Sequence, residues 1–372
     1  MKICFITTGN VEKVATMKRA IGLAEPLIDM GHEVHIISLD CEENRKRFYI
    51  ECPRATIHYI HNTSVYKEIV NKRLLIKKIK PDFIYVCAFV FRNFICKYNI
   101  DRRTLIIVEH SELFSAIPSV QAWKRKAYLM MEWVCKYLYC GQIAASRYLE
   151  KYLKAKLPPQ KQKTVFYSPY AYSYSVMLKK SILFNEISKK YSRHKIVLYM
   201  GLLRLNYGFS YLIEAAKYLK ESEKPVKILI MGNGVHKGIA ENMIQELKLQ
   251  NVVELLGYVK EEDLSSYFSI ADAFVSPLFD TVQDWARCPS KLFMYLPFNQ
   301  PIITCKIGEA KELFSENYKY YYKISDSEDL YKKILEAVYD THYVSPYNEK
   351  EHEWTRRAID MMTWINGTYE RF

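Results

Sequence analysis

No run of apolar residues in this chain approaches the roughly 18–20 that a membrane-crossing helix needs. The opening MKICFITTG has neither a long apolar core nor a cleavage site of small residues. A cytoplasmic location is therefore expected. Nine cysteines, at 4, 41, 52, 87, 96, 135, 140, 288 and 305, include no C-x-x-C pair and no histidine at metal-binding spacing. This argues against a bound metal and for free, buried thiols in a reducing compartment. The sequons at Asn62 and Asn366 then carry no weight. There is no short repeat, low-complexity tract or acidic tail. The segment MGNGVHKG places only Gly232 and Gly234 of a dinucleotide fingerprint and has no acidic residue at the right distance. No RNP-like aromatic motif appears, which leaves nucleic acid without a recognised reader.

Acidic residues are also scarce, but only in one half. Residues 1–185 hold 30 Lys and Arg against 15 Asp and Glu, whereas residues 186–372 hold 24 against 26. The whole net charge of +13 thus arises in the first half. Such asymmetry points to an anionic partner for that half, either nucleic acid, an anionic membrane or a phosphorylated acceptor.

At 372 residues, with 49% apolar and 26% charged side chains, the chain fits a soluble globular protein of two domains. KICFITTG reads as a strand breaking at Thr8-Gly9-Asn10. It is followed by a helix through KRAIGLAEPLIDMG, with Pro26 inside it, and by the strand HEVHIISL. DFIYVCAF and TLIIVEH extend the series. From 163 to 175, KTVFYSPYAYSYS loosens the pattern, and a second series follows in KIVLYMGLL, VKILIMGNG, VVELLGYV, AFVSPL and PIITC. Alternating strands and helices predict an α/β protein of two doubly wound, Rossmann-like domains. Their boundaries are placed at 1–180 and 181–350, with 351–372 forming a helix that returns to the first domain. Residues 121–140, QAWKRKAYLMMEWVCKYLYC, read either as a core helix with snorkelling lysines or as an interfacial helix on a membrane, and residues 71–81 carry the same ambiguity.

Ligands of such sheets bind at the carboxyl ends of strands. The loops so placed are Thr8-Gly9-Asn10, Glu109-His110-Ser111, Gly201–Gly208, Gly232-Asn233-Gly234, Gly257-Tyr258 and Arg287–Lys291, expected to share one crevice. In CPSKLF, Pro289 suits a helix start, Ser290 offers a hydroxyl there, and Lys291 can neutralise phosphate. Arg204 supplies a second cation. Taken singly, each of these basic residues also reads as a solvated surface charge.

The order and spacing of these segments resemble the family 4 glycosyltransferases of GT-B fold over nearly the whole chain, in particular a subgroup with a Pro-Ser-Lys-Leu-Phe segment. The resemblance rests on the glycine loop with Arg19, GHEVHII and IIVEH in the first half. In the second half it rests on YMGLLRLNYGFSYLIEAAKYL, ILIMGNG, NVVELLGYVKEEDLSSYFSIADAFVSP and CPSKLFMYLPFNQPIIT, with HEWTRRAIDMMTWI as the closing helix. It implies a retaining hexosyl transfer from a nucleotide-diphosphate sugar, UDP favoured, to a saccharide or lipid-linked acceptor in cell-surface polysaccharide biosynthesis. No cofactor or metal is implied, and the donor phosphate itself assists deprotonation of the acceptor.

Carried over by position, His110, Arg204 and Lys291 become the catalytic set. Gly9, Asn10, Gly234, Tyr258, Val259, Asp284, Pro289, Ser290 and Met294 surround the donor, with Asp280 or Asp284 touching the sugar. Departures are specific. The paired glutamates of the family read Ala286 and Met294, the usual Arg ahead of Arg204 is Leu202, and the usual Lys before Gly208 is Tyr207. A non-catalytic GT-B partner subunit and a nucleotide-sugar epimerase therefore stay open beside the active transferase. For the basic half the expectation is peripheral docking on the inner face of the cell membrane. Nothing in the sequence sets the oligomeric state.

Overall fold

A computed structural model of the chain describes residues 1–12, 17–173, 177–346 and 349–369. The Tyr and Ser at 174 and 175, which close the loosened stretch, lie outside these. The chain divides into two compact units. One comprises Met1–Ala171 with Ala286–Cys288 and His352–Phe372, and the other comprises Tyr172–Trp285 with Pro289–Glu351. The sequence reading divides the chain later, at 180/181. Ser181, where the sequence reading starts its second domain, lies in the second unit, and its backbone N–H and its hydroxyl both meet Ser266 Oγ, at 2.8 and 3.0 Å.

The first unit is built on seven parallel strands, β1 (Lys2–Ile6), β2 (Glu33–Leu39), β3 (Thr56–Ile60), β4 (Phe83–Val86), β5 (Leu105–His110), β6 (Gly141–Ala144) and β7 (Val165–Tyr167). Their spatial order is β3-β2-β1-β4-β5-β6-β7. Every residue of β4, β5 and β6 is buried, which is what near-continuous apolar strands covered by helices on both faces require. Strands β3, β6 and β7 escape the sequence reading because they are short and lack a sustained apolar run. The register pairs Ile3 with Phe83 and Phe5 with Tyr85, and it fixes the carboxyl ends of β1 and β4 side by side. The helix Met17–Asp29 runs continuously through Pro26. The last helix, Trp354–Thr368, packs on it within this unit. Its Trp364 donates to Lys163 O (2.9 Å) and stacks on Phe166 at 4.9 Å, and Tyr369 donates to Cys140 O.

The second unit has five parallel strands, β8 (Lys195–Met200), β9 (Val226–Met231), β10 (Val253–Gly257), β11 (Ala273–Ser276) and β12 (Ile302–Thr304), ordered β10-β9-β8-β11-β12. Chain order reverses between β8 and β11, so the loops leaving these two strands diverge and open a crevice at the sheet edge. Phe268, Phe274 and Tyr295 form its aromatic core, with Phe274 stacked on Tyr295 at 4.2 Å. All nine cysteines are free. No helix among the described residues is long and apolar enough to cross a membrane.

Candidate active site

In the second unit the backbone itself builds the site. A Cβ on Gly232 would lie 1.9 Å from Gly201 O, so the loops after β8 and β9 touch main chain to main chain. Leu203 N–H donates to Asn233 O (3.1 Å), His236 N–H to Leu203 O (3.0 Å) and Leu205 N–H to His236 Nδ1 (3.1 Å). Gly234 lies against the Leu203 backbone in the same clasp. Asn206 then donates to Gln283 Oε1 at 3.0 Å, which ties this loop to the segment after β11. Sequence reasoning passed over His236 and Gln283, because neither falls in a motif.

The helix Ser290–Tyr295 is fixed from its far end, where the Tyr295 hydroxyl accepts from Met200 N–H at 2.9 Å. Pro289 precedes this helix in extended conformation and its carbonyl accepts from Leu292 N–H. Ser290 is half-buried. The next residue corrects the solvated-lysine alternative. Lys291 is only 7% exposed, and its ammonium sits 4.1 Å from the centre of the Tyr199 ring. A Cβ on Gly201 would stand 2.8 Å from the Tyr199 hydroxyl and 3.2 Å from the Lys291 ammonium, so glycine, ring and lysine pack closely here. The ring face thus supports the buried ammonium by a cation–π contact. The Tyr199 hydroxyl lies 3.4 Å from both Leu202 O and Tyr207 O, joining the lysine's platform to the adjoining loop. Tyr199 is thus the partner of Lys291 that sequence reading missed, its only signal being its place two residues before Gly201.

Arg204 is half-buried in extended backbone at the start of the turn Leu205–Tyr207, and it has no carboxylate partner among the described residues. Tyr258 is exposed and Val259 half-buried, just beyond the carboxyl end of β10. Met294 is buried, 4% exposed. An apolar side chain so enclosed offers nothing to a ribose hydroxyl. The two aspartates assigned to the sugar are engaged in their own loop. Asp284 is buried and accepts from Phe279 N–H at 2.6 Å, and Asp280 accepts from Trp285 Nε1 at 2.7 Å.

In the first unit, Gly9 adopts φ 78° and its carbonyl accepts from Asn44 Nδ2 at 3.0 Å. The same buried amide accepts from Val11 N–H (2.8 Å) and donates to Leu39 O (3.0 Å), so one side chain clamps the glycine loop. Asn10 spends its Oδ1 on Glu12 N–H. Thr8 donates to Glu68, which is paired with Lys72 (2.7 Å) and Arg92 (2.5 Å). Lys72 is wholly buried and also donates to Arg92 O and Asn93 Oδ1. This settles the ambiguity of residues 71–81 at that position as core rather than surface. Burial pulls its ammonium pKa down to about 8 against the opposing pull of Glu68.

His110 ends β5, 3% exposed, with Nε2 3.3 Å from Cys135 Sγ. Burial pushes its imidazole down to about 4, a hydrogen bond to Gln142 opposing, so it is neutral near pH 7. Beside it, Glu109 is buried between Arg19 (2.6 Å) and the Tyr85 hydroxyl (2.9 Å). Burial raises this carboxyl and Arg19 lowers it, with a net rise. Gly9, Asn10 and His110 share the carboxyl edge of the first sheet, and Arg204, Gly234, Tyr258, Pro289, Ser290 and Lys291 share that of the second.

Residues 180–361 match the family described as Glycosyl transferases group 1. The second unit thus matches the group 1 glycosyltransferases over most of its length. The chain's relatives include the uncharacterized glycosyltransferase MJ1607 of Methanocaldococcus jannaschii, 25% identical over 268 residues that span 69% of this chain and 68% of that protein. Among solved structures, sucrose-phosphate synthase from Thermosynechococcus elongatus superposes with a TM-score of 0.75 at 15% identity, covering all of both chains. Anabaena Alr3699/HepE, solved in complex with UDP and glucose, superposes with a TM-score of 0.70 at 13% identity, covering 98% of this chain and 95% of its own. These likenesses establish the GT-B architecture for this chain.

Proposed function

We propose that the chain transfers a hexosyl group, with retention at the anomeric carbon, from a UDP-sugar to a saccharide or lipid-linked acceptor. The observation that carries this reading is the buried Lys291, held over Tyr199 beside Gly201 at the point where the second sheet reverses its order. An ammonium there is placed to meet a diphosphate, and half-buried Arg204 supplies the second cation. In the reaction the acceptor oxygen bonds to the anomeric carbon, the bond from that carbon to the diphosphate oxygen breaks, and the acceptor proton passes to the departing phosphate. Negative charge grows on the diphosphate as the bond breaks, so cations fixed at that end stabilise the transition state more than the bound donor. The two cations carry this load without a metal. Buried and neutral beside Cys135 and Gln142, His110 supports the end of β5 rather than transferring a proton. The basic first half agrees with an acceptor presented at the inner face of a membrane, during cell-surface glycan assembly.

The test is turnover of a panel of nucleotide-sugars, read as released nucleotide by mass spectrometry, in the wild type and in Lys291→Ala. Hydrolysis or transfer with a UDP-sugar that collapses in the variant supports the reading. Absence of any nucleotide-induced thermal shift across the panel would overturn it in favour of a non-catalytic partner role, which the enclosed Met294 would then explain.

A further inference from the structure

The helix Ala122–Leu138 turns two unlike faces to its surroundings. Toward the unit's core it buries Met131, Glu132 and Cys135. Its only carboxylate, Glu132, is used up there by Ser115, whose backbone N–H and hydroxyl both donate to it, at 3.2 and 2.8 Å. The opposite face is apolar where a solvated helix is polar. Trp123 is 67% exposed, Met130 63%, Trp133 54%, and Leu129 and Tyr137 each 48%. On the core side of the helix, Tyr128 packs against Phe91 and stacks on Phe114. From Trp123 to Tyr137 this stripe is about 21 Å long at the rise of an α-helix.

Cations edge the stripe. Lys124, Arg125 and Lys126 are exposed and have no carboxylate partner among the described residues. Lys124 lies 5.3 Å from the Trp123 ring centre, and Lys136 lies 5.2 and 5.1 Å from those of Trp133 and Tyr137. A core helix with snorkelling lysines would place its aromatic residues inward. Here tryptophans face out among lysines.

We infer that this face is the chain's docking surface for an anionic lipid bilayer. The stripe enters the boundary between headgroups and acyl chains, and the flanking lysines and Arg125 meet lipid phosphate. Charge selects this occupant over the other candidates. A second copy pairing face to face by two-fold symmetry would bring together two surfaces whose unpaired charges are all of one sign. A nucleic acid would satisfy the cations but leave Leu129 and Met130 in water. The inference rests on the proposed function only for what the membrane presents as acceptor, and docking itself is measured without donor or acceptor.

The experiment is co-sedimentation of the full chain with phosphatidylcholine vesicles of graded phosphatidylglycerol content, at low and high salt. Two variants are compared with the wild type, Trp123→Ser with Met130→Ser and Trp133→Ser, and Lys124→Gln with Arg125→Gln and Lys126→Gln. All these positions are exposed, and far-ultraviolet circular dichroism and a melting temperature matching the wild type would confirm that both variants are folded. Wild-type binding is expected to rise with anionic content and fall with salt. The charge variant should lose on the order of a hundredfold in partitioning, and the apolar variant at least about tenfold. Tryptophan emission should shift to the blue on binding, and the shift should shrink in the apolar variant. Equal binding by all three proteins would overturn the proposal. So would absence of vesicle binding together with a dimer, seen by sedimentation velocity, that the apolar variant dissociates, because the face would then belong to a second copy. Donor turnover that persists without vesicle binding would sink the docking surface while leaving the transferase reading intact.

Discussion

At the residue scale, Lys291 and Tyr199 act as a pair. Lys291→Ala is expected to reduce kcat by about 10²–10³-fold, the usual consequence of losing one well-placed donor to a developing anion. Tyr199→Leu keeps the ammonium but removes its platform, so kcat should fall several-fold, whereas Tyr199→Phe, which keeps the ring, should stay close to wild type. Steady-state kinetics on all three separates the charge from its support, and equal losses in the two Tyr199 variants would refute the cation–π role. Met294→Glu makes two opposed demands. A carboxylate at a position only 4% exposed should lower the melting temperature of the unliganded protein. If the ribose lies beside it, the UDP-induced thermal shift should grow, and no growth means that the position does not face the nucleotide. His110 gives a pH signature. Its folded-state pKa of about 4 lies below the ordinary 6.5, so the folded chain binds fewer protons than the unfolded chain between these values. Its contribution is fully present above pH 6.5 and is lost as pH falls toward 4, about 3 kcal/mol in all. His352, pushed down to about 4 by burial and by Arg357, acts in the same direction. Chemical denaturation between pH 7 and 4 should therefore show falling stability, with a shallower slope in His110→Gln.

At the element scale, the glycine loop after β1 owes its shape to a residue outside it. Asn44, in the helix Glu42–Glu51, bonds to Gly9, Val11 and Leu39 from a fully buried position. Asn44→Ala leaves these backbone groups without their partner and should cost about 2–3 kcal/mol. Hydrogen exchange should then quicken at the Val11 amide, which donates to Asn44, while amides inside β4 stay protected. Uniform loosening of the whole sheet would mean that Asn44 supports the fold and not the loop. The six-residue helix Ser290–Tyr295 depends likewise on a distant anchor. Its tyrosine bonds to Met200 N–H on β8, so the position of Lys291 is set by strand and helix together.

At the scale of the whole molecule, the uneven charge and the two sheets assign different work to the two halves. Nucleotide should act on the second unit, and saturation at about 100 times Kd should add about 2.7 kcal/mol to its stability, checked by calorimetry with and without UDP. Much of the architecture was legible in the sequence because buried parallel strands must be apolar on both faces. KICFI, FIYV, LIIVEH and VKILIM announce themselves as central strands for that reason. The three-residue β7 and the mixed β3 did not, because a strand that short, or that polar, takes its place only when a neighbour offers its edge. Around the candidate site, the tight main-chain approach at Gly232 and Gly234 was legible, since close backbone contact leaves its mark in residue type. The sequence by itself thus determined the alternation of elements, the loops that close the strands and the basic bias of one half. Only the tertiary structure decided that Lys291 is buried on Tyr199, that Lys72 is sealed in a network with Glu68, and that Trp123 and Trp133 face outward. Burial and ring contact depend on which distant segments arrive, and a linear pattern does not encode which side of a helix they cover.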